Sequence, residues 1–351
     1  MKWKSALDDP EWLWRAGEGL GRAVGLSGPL HLVPLQGGAN NRVFRLEGGS
    51  GRALLKAYFR HPDDHRDRLG AEFGFSTFAW GQGVRALPRP LAQDREAGIG
   101  LYEFVEGRRP VPGEVSDGWV GQAIDFFRAV NRARHADDAR TLPLASEGCL
   151  SLGAHVALVE ARVRRLRTIP GTSPIDREAS RFVKEELAET WSRLEARFHH
   201  EAAQANICLE SELEPAARCL SPSDFGYHNA IVEAGGRLRF IDFEYAGWDD
   251  PAKTVCDFFC QPAVPAPEAW FDRFAAAVFA DYPETEWHRR RVAILLPLYR
   301  LKWCCIMLND FLPAGRARRR FAGGEAGLEE RAEAQLARAR RSLAAIREEL
   351  G

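Results

Sequence analysis

Positive and negative charge nearly cancel in this sequence: 48 Lys and Arg stand against 49 Asp and Glu, a formal charge of −1. With no surplus of one sign there is no global field to attract nucleic acid or anionic lipid, and neither is expected as a partner. Cysteine is sparse and unpatterned. Cys149, Cys208, Cys219, Cys256, Cys260, Cys304 and Cys305 form no C-x-x-C pair and are odd in number, so buried thiols of a reducing compartment are expected rather than a disulfide framework. Cys256 and Cys260 can share a helix face, but no second His or Cys pair completes a zinc site. The first ten residues, Met1 to Pro10, lack an apolar core and carry Asp8 and Asp9, so no leader is expected and the location reads as cytoplasmic. The most apolar run, Val292 to Leu308, is interrupted by Pro297, Arg300 and Lys302. It falls short of the ~20 residues a membrane span needs and reads as a core helix. Walker A, His-Glu-x-x-His and Gly-x-Ser-x-Gly motifs are absent. Gly17-Glu18-Gly19-Leu20-Gly21 follows a Trp-rich, helix-like stretch instead of a strand, which argues against dinucleotide binding.

What is present is enough apolar residue, 45% of 351, for two or three packed units. Leu30–Leu35, Arg42–Leu46 and Ala53–Phe59 read as strands separated by glycine turns, hence an antiparallel sheet. Asp63–Trp80, with Leu69, Phe73 and Thr77 four apart, reads as a helix on that sheet, and Gly98–Val105 as a further strand. After a hinge at residues 106–110 the periodicity becomes helical, as in Val120, Ala123, Ile124, Phe127 and Val130. One β interruption, Ala230–Glu233 and Leu238–Ile241, reads as a hairpin. The basic clusters, Arg316 to Arg320 and Arg338, Arg340 and Arg341, have no interleaved aromatics to stack bases and read as solvated helix faces.

The chemistry concentrates around that hairpin. Asp224 and Asn229 precede it and Asp242 follows it, so folding the hairpin brings three polar ends to one mouth. Phosphoryl transfer needs such a set: one carboxylate to take a hydroxyl proton, and an amide oxygen with a second carboxylate to hold Mg²⁺. In the N-terminal part, Gly37-Gly38-Ala39-Asn40-Asn41 offers a glycine turn to phosphates. Lys56 sits in an otherwise apolar strand and needs a counter-charge, which Glu72 can supply.

In this order the elements resemble the aminoglycoside phosphotransferase and choline kinase-like family, small-molecule kinases with a protein-kinase-like fold, over roughly residues 30 to 310. The resemblance implies an α+β, bilobal fold: a small antiparallel β N-lobe with the hinge over residues 1–106, and a larger, mainly helical C-lobe over 107–351. It implies ATP and Mg²⁺ as cofactors and a small-molecule hydroxyl acceptor such as an aminoglycoside, a sugar or an amino alcohol. Gly37, Gly38, Asn41, Lys56 and Glu72 match the nucleotide-binding positions, and Glu103, Phe104 and Val105 the hinge that meets adenine. Asp224 matches the catalytic residue, and Asn229 and Asp242 the metal ligands. Pro222 and Ser223 replace the family's His-Gly before Asp224. Asp250 and Asp257, in the stretch after Gly247, are expected to order the loop. Tyr227, His228, Glu244, Trp248, Arg300, Trp303 and Asp310 are acceptor-site candidates, and acidic groups, an aromatic cage or arginines would each favour a different acceptor. The alternative is a nucleotide-binding protein of the same fold that transfers nothing.

Overall fold

Residue alternation builds the first sheet of the computed structural model, which describes residues 9–35, 40–61, 64–323 and 327–351. Strands β1 (His31–Leu35), β2 (Arg42–Gly48), β3 (Gly51–Ala57), β4 (Pro90–Asp94) and β5 (Ile99–Glu103) pair antiparallel in the order β1-β2-β3-β5-β4. Within β3, Ala53, Leu55 and Ala57 join one core with Leu13, Leu46, Ile99 and Leu101. Lys56 lies between them in sequence and so faces the opposite side. Helix α1 (Pro10–Ala23) closes that core, capped by Asp9, which accepts from the N–H groups of Glu11 and Trp12. Two of the three glycines of α1 let the helix seat on the sheet: a Cβ on Gly17 would stand 3.0 Å from Leu55 Cδ1 and one on Gly21 2.7 Å from Leu46 Cδ2.

Helix α2 (Arg68–Gly81) starts later than its sequence pattern suggests, because Asp67 caps it through the Gly70 N–H. Its buried face is Ala71, Glu72, Phe75, Ser76, Phe78 and Ala79, whereas Thr77 is exposed. Phe75, Phe78 and Ala79 belong to the second, larger core, so α2 turns Glu72 toward the sheet while binding the helical part.

The larger part contains α3 (Asp117–Arg132), α4 (Leu152–Leu166), α5 (Pro174–Phe182) and α6 (Ala188–Gln204), the last two joined by a π turn at Val183–Leu187. It continues through β6 (Cys219–Ser221), β7 (Ala230–Val232), β8 (Leu238–Phe240), β9 (Gly247–Asp249), α7 (Pro251–Cys260), α8 (Phe271–Phe279), α9 (Thr285–Met307), α10 (Pro313–Gly323) and α11 (Leu328–Leu350). The expected hairpin is β7–β8, with Ala230 opposite Phe240. The architecture is therefore an antiparallel sheet joined to a mainly helical body, a protein-kinase-like fold.

The apolar run around Val292 is longer than its sequence suggests. Thr285–Phe311 is long and apolar enough to cross a membrane, but 61% of its most apolar window is buried, packed by α4, α6, α7 and α11. No disulfide forms, and of the seven thiols Cys208 is exposed and Cys260 half-buried, contrary to a uniformly buried set.

The hinge is fastened at Arg108, which exchanges backbone hydrogen bonds with Val232 at 3.1 and 2.8 Å. A Cβ on Gly107 would lie 2.3 Å from the Val232 carbonyl oxygen, so only glycine permits this approach.

Candidate active site

Two short ladders aim the polar loops. β6 ends at Ser221, opposite Gly247 of β9, and the chain between them makes the Asp224 loop, the β7–β8 hairpin and the Asp242 turn. Beyond the hairpin register, the Ile241 N–H donates to the Asn229 carbonyl at 2.9 Å. Asn229 and Asp242 therefore flank one ladder end. From below, Phe225 packs on Phe240 and Phe258, with ring centroids 5.0 and 5.1 Å away, and this aromatic contact fixes the residue next to Asp224.

Asp224 Oδ2 accepts from Asn229 Nδ2 at 3.1 Å, and Oδ1 lies 3.1 Å from His228 Nε2. Asn229 Nδ2 also reaches the Asp224 carbonyl at 2.9 Å, which turns the amide oxygen outward. Burial pushes the Asp224 pKa up, but His228, the Asn229 hydrogen bond and the charge of Lys302 outweigh it and hold the carboxyl below its ordinary value. About a third of the side chain, 32%, stays exposed, so an ionised acceptor oxygen faces the cleft. Ser223, which stands where the resemblance implies Gly, adopts φ 65°, a conformation glycine takes without cost. Its N–H donates to Ser221 Oγ at 3.0 Å, and Thr254 Oγ1 donates to the same oxygen at 3.1 Å. These hydroxyls brace the loop. Asp242 is also left-handed, at φ 71°, as tolerated by Asp in strained functional turns.

Lys56 reaches across the cleft. Its Nζ donates to Glu72 Oε2 at 2.6 Å and to Asp242 Oδ1. Burial lowers its pKa, but Asp242, Glu72 and Glu244 together push it well above the ordinary lysine value, so it is a permanent cation. Tyr58 OH donates to the same Glu72 oxygen at 2.8 Å, which fixes the glutamate. Among the described residues Asp242 has no hydrogen-bond or ion-pair partner besides Lys56, and 32% of its side chain is exposed. Its carboxylate and the outward Asn229 amide oxygen are hard oxygen donors, the chemistry Mg²⁺ selects. Among the described residues no cluster of three His, Cys, Asp or Glu could cage a metal. A two-ligand site completed by phosphates and water is the form Mg²⁺ usually takes.

Several expected positions serve other tasks. Gly37 and Gly38 lie outside the described residues. Asn41 is buried and both ends of its amide are engaged: Nδ2 donates to Glu244 Oε2 at 2.6 Å and Oδ1 accepts from the Phe59 N–H at 3.0 Å. It holds the sheet to the helical part instead of facing a phosphate. Its partner Glu244 is 1% exposed, further tied to Asn40 at 3.0 Å and Arg68 at 3.5 Å, which removes it from the acceptor candidates. The Glu103 carboxylate is taken by Arg239 at 2.5 Å and the Arg89 N–H at 3.0 Å. Phe104 follows, its ring under Arg45 and Arg52 at 5.8 and 5.3 Å, and Val105 is half-buried.

A cavity of about 220 Å³ opens beside Asp224, lined by α4, α7, α9 and α10. Trp303 and Asp310 line it, but Trp248 and Arg300 do not. Trp248 donates to the Ala139 carbonyl, and Arg300 pairs with Glu349. Tyr227 is buried against Trp119 and Phe258. His228 contacts Asp224, and its carbonyl accepts from Arg109 Nη1 at 3.0 Å. The Arg316–Arg320 cluster is not a solvated face: Arg318 and Arg319 line the cavity and Arg316 pairs with Asp176 at 2.5 Å. Sequence spacing holds no signal for this, since α10 reaches the cavity only through tertiary packing.

Beneath the cavity, Asp250 caps α7 by accepting from the Ala252 N–H at 2.7 Å and pairs with buried Arg291 and with His155 at 3.1 Å. Burial raises its pKa, yet Arg291 and His155 hold it far below the ordinary range. A lowered folded-state pKa gives stability above the unfolded value, near 4, that drains away as pH falls further. Asp250→Ala leaves Arg291 buried and uncompensated and is expected to cost roughly 3–5 kcal/mol at pH 7, seen as a melting point several degrees lower. A melting point unchanged at pH 7 would refute that account.

A sheet with one inward lysine, set over a helical body whose loops carry Asp224, Asn229 and Asp242, defines a protein-kinase-like architecture. A model of the phosphotransferase enzyme family known as APH matches residues 31–293. The chain belongs to that family. An ethanolamine kinase from Plasmodium vivax shares the fold at TM-score 0.58 and 12% identity, over 94% of this chain and 89% of that one. Choline kinase LicA from Streptococcus pneumoniae matches at TM-score 0.56 and 14% identity, over 95% and 98%. Spectinomycin phosphotransferase APH(9)-Ia, solved in complex with ADP and spectinomycin, matches at 0.56 and 12%, over 92% and 98%. No curated protein matches the sequence.

Proposed function

We propose that the protein is an ATP- and Mg²⁺-dependent kinase that phosphorylates a hydroxyl of a small molecule. The observation that carries this is the frame that Asn229 gives the two carboxylates: its amide bonds Asp224, its carbonyl accepts from Ile241 next to Asp242, and Asp242 in turn holds Lys56. Mg·ATP, when bound, would supply the γ-phosphoryl group, with the metal offsetting negative charge on the phosphate oxygens and so leaving the phosphorus electrophilic. Lys56, released from Asp242, pairs with phosphate oxygens while Glu72 keeps it in place. Asn229 and Asp242 would hold the metal. Phe104 and Val105 flank the base. Asp224 orients the acceptor hydroxyl and takes its proton; the acceptor oxygen bonds to phosphorus as the bond to the β-phosphate oxygen breaks and its electron pair leaves with ADP. Residues 1–106 form the nucleotide side and 107–351 the acceptor side in this reading, and a cytoplasmic location agrees with the thiols. The two expected phosphate glycines, Gly37 and Gly38, retain their proposed role.

The test is ³¹P NMR of the protein with ATP, Mg²⁺ and a small-metabolite extract. The γ resonance should fall as a phosphomonoester resonance grows, both arrested by EDTA. ATP left intact would favour the non-transferring alternative and contradict the proposal.

A further inference from the structure

The cavity beside Asp224 carries a charge imbalance. Seven Lys and Arg side chains line it against four carboxylates, and of the seven Lys253 and Arg66 pair with carboxylates outside the lining, Asp249 at 2.5 Å and Asp64 at 2.7 Å. Three of the lining carboxylates are already neutralised: Glu147 by Arg162, Asp257 by Lys302 at 2.7 Å, and Asp310 by Arg319 at 2.9 Å and Arg331 at 2.7 Å. A cationic acceptor would have to displace these pairs, and only Asp224 would be left to meet it.

Two guanidinium groups have no carboxylate. Arg165 on α4 donates to the Asn309 amide oxygen at 3.1 Å, a neutral partner. Arg318 on α10 has no hydrogen-bond or ion-pair partner among the described residues, and its Nε is buried. Arg66 joins them from the sheet side, sharing Asp64 with Arg68 at 2.7 and 2.6 Å. The groups repel one another: burial, Arg162, Arg318 and Arg66 lower the pKa of Arg165 against the opposite pull of Glu147, and burial, Arg66, Arg68 and Arg319 lower that of Arg318 against the pull of Tyr245. Like charges gathered in a half-buried pocket destabilise it unless an anion stands among them, and planar guanidinium forks match carboxylate and phosphate oxygens.

We propose that the acceptor is anionic, bearing a carboxylate or phosphate group that Arg165 and Arg318 grip with Arg66 at the rim while its hydroxyl meets Asp224. This rests on the kinase reading above. It assigns the pocket to a hydroxy acid or a phosphorylated alcohol and sets it against an aminoglycoside or an amino alcohol. In the transfer step the anionic group is a handle: it neither gains nor loses a bond, and the hydroxyl oxygen alone bonds to the γ-phosphorus.

Two measurements test it. With the nucleotide site filled by Mg·ADP, inorganic phosphate and acetate are titrated calorimetrically, which tells phosphate from carboxylate preference. At least one should bind, and Arg165→Gln with Arg318→Gln should weaken it roughly ten- to hundredfold with ADP affinity unchanged. Arg165→Gln alone serves if the double variant melts early. No binding of either anion, or equal binding by the variants, overturns the proposal. Next, the metabolite extract is split by ion exchange into anionic, neutral and cationic pools and incubated with Mg·ATP. Gain of a phosphate in the anionic pool is the expected result, and gain confined to another pool overturns it. Transfer to no pool, with anion binding intact, overturns the kinase reading and leaves an anion-binding protein.

Discussion

Asp224→Asn is expected to lower single-turnover phosphotransfer roughly 10²–10⁴-fold while leaving nucleotide affinity within about twofold of wild type. The substitution conserves shape, and an Asn oxygen can still accept from Asn229 Nδ2, which lies 3.1 Å away. What it removes is the ionised oxygen that receives the hydroxyl proton. That oxygen is maintained by His228 and Asn229 against the upward pull of burial. The loss corresponds to ~3–5 kcal/mol of barrier. It belongs to the transition state, because among the described residues Asp224 is hydrogen-bonded to His228 and Asn229 and not to Lys56, Asp242 or the hinge, and it lines the acceptor cavity. Rapid-quench kinetics beside ADP calorimetry separates the two effects. Wild-type transfer by the variant would remove Asp224 from the chemistry, and a parallel fall in ADP affinity would make its role structural.

Asp242→Asn should be as damaging by a different route. The residue sits at φ 71°, where Asn is tolerated almost as well as Gly, so the turn should survive. The variant loses one full charge from the metal site and one of the two carboxylates on Lys56, which keeps Glu72 at 2.6 Å. A catalytic metal is worth several kcal/mol, so turnover should fall roughly a thousandfold or more. In contrast to Asp224→Asn, the Mg²⁺ dependence of ATP binding should vanish. Titrating ATP with and without Mg²⁺ checks this directly. A variant that still binds ATP more tightly when Mg²⁺ is added would place the metal on other groups.

The parts of the fold legible in the sequence are those set by neighbours in the chain. Alternation in Ala53–Ala57 and the turn at Gly48–Gly51 specify a hairpin, and the short β7–β8 loop explains why Asn229 and Asp242 meet. Strand β4 carries no such alternation: all five residues are half-buried, and its pairing to β5 shifts register between Pro90 and Ala92. Contacts between distant segments are illegible for a simpler reason. Asn41 and Glu244 look like a phosphate ligand and an acceptor ligand until folding, across 203 residues, makes them a buried joint. Arg66, Arg165 and Arg318 are unremarkable surface residues by local pattern, and only the packing of α4, α10 and the sheet side makes them walls of one cavity. The near-zero net charge conceals this, since a local surplus of guanidinium needs no global one.

The proposed chemistry moves a phosphoryl group from ATP to an alcohol within this cleft. Its most direct test is a single turnover: excess enzyme with γ-³²P-labelled ATP, Mg²⁺ and the metabolite extract, quenched in acid and separated by chromatography. The account predicts label in one organic phosphate for the wild type, and in none on the same timescale for Asp224→Asn. Label remaining in ATP, or appearing only as inorganic phosphate, would contradict it.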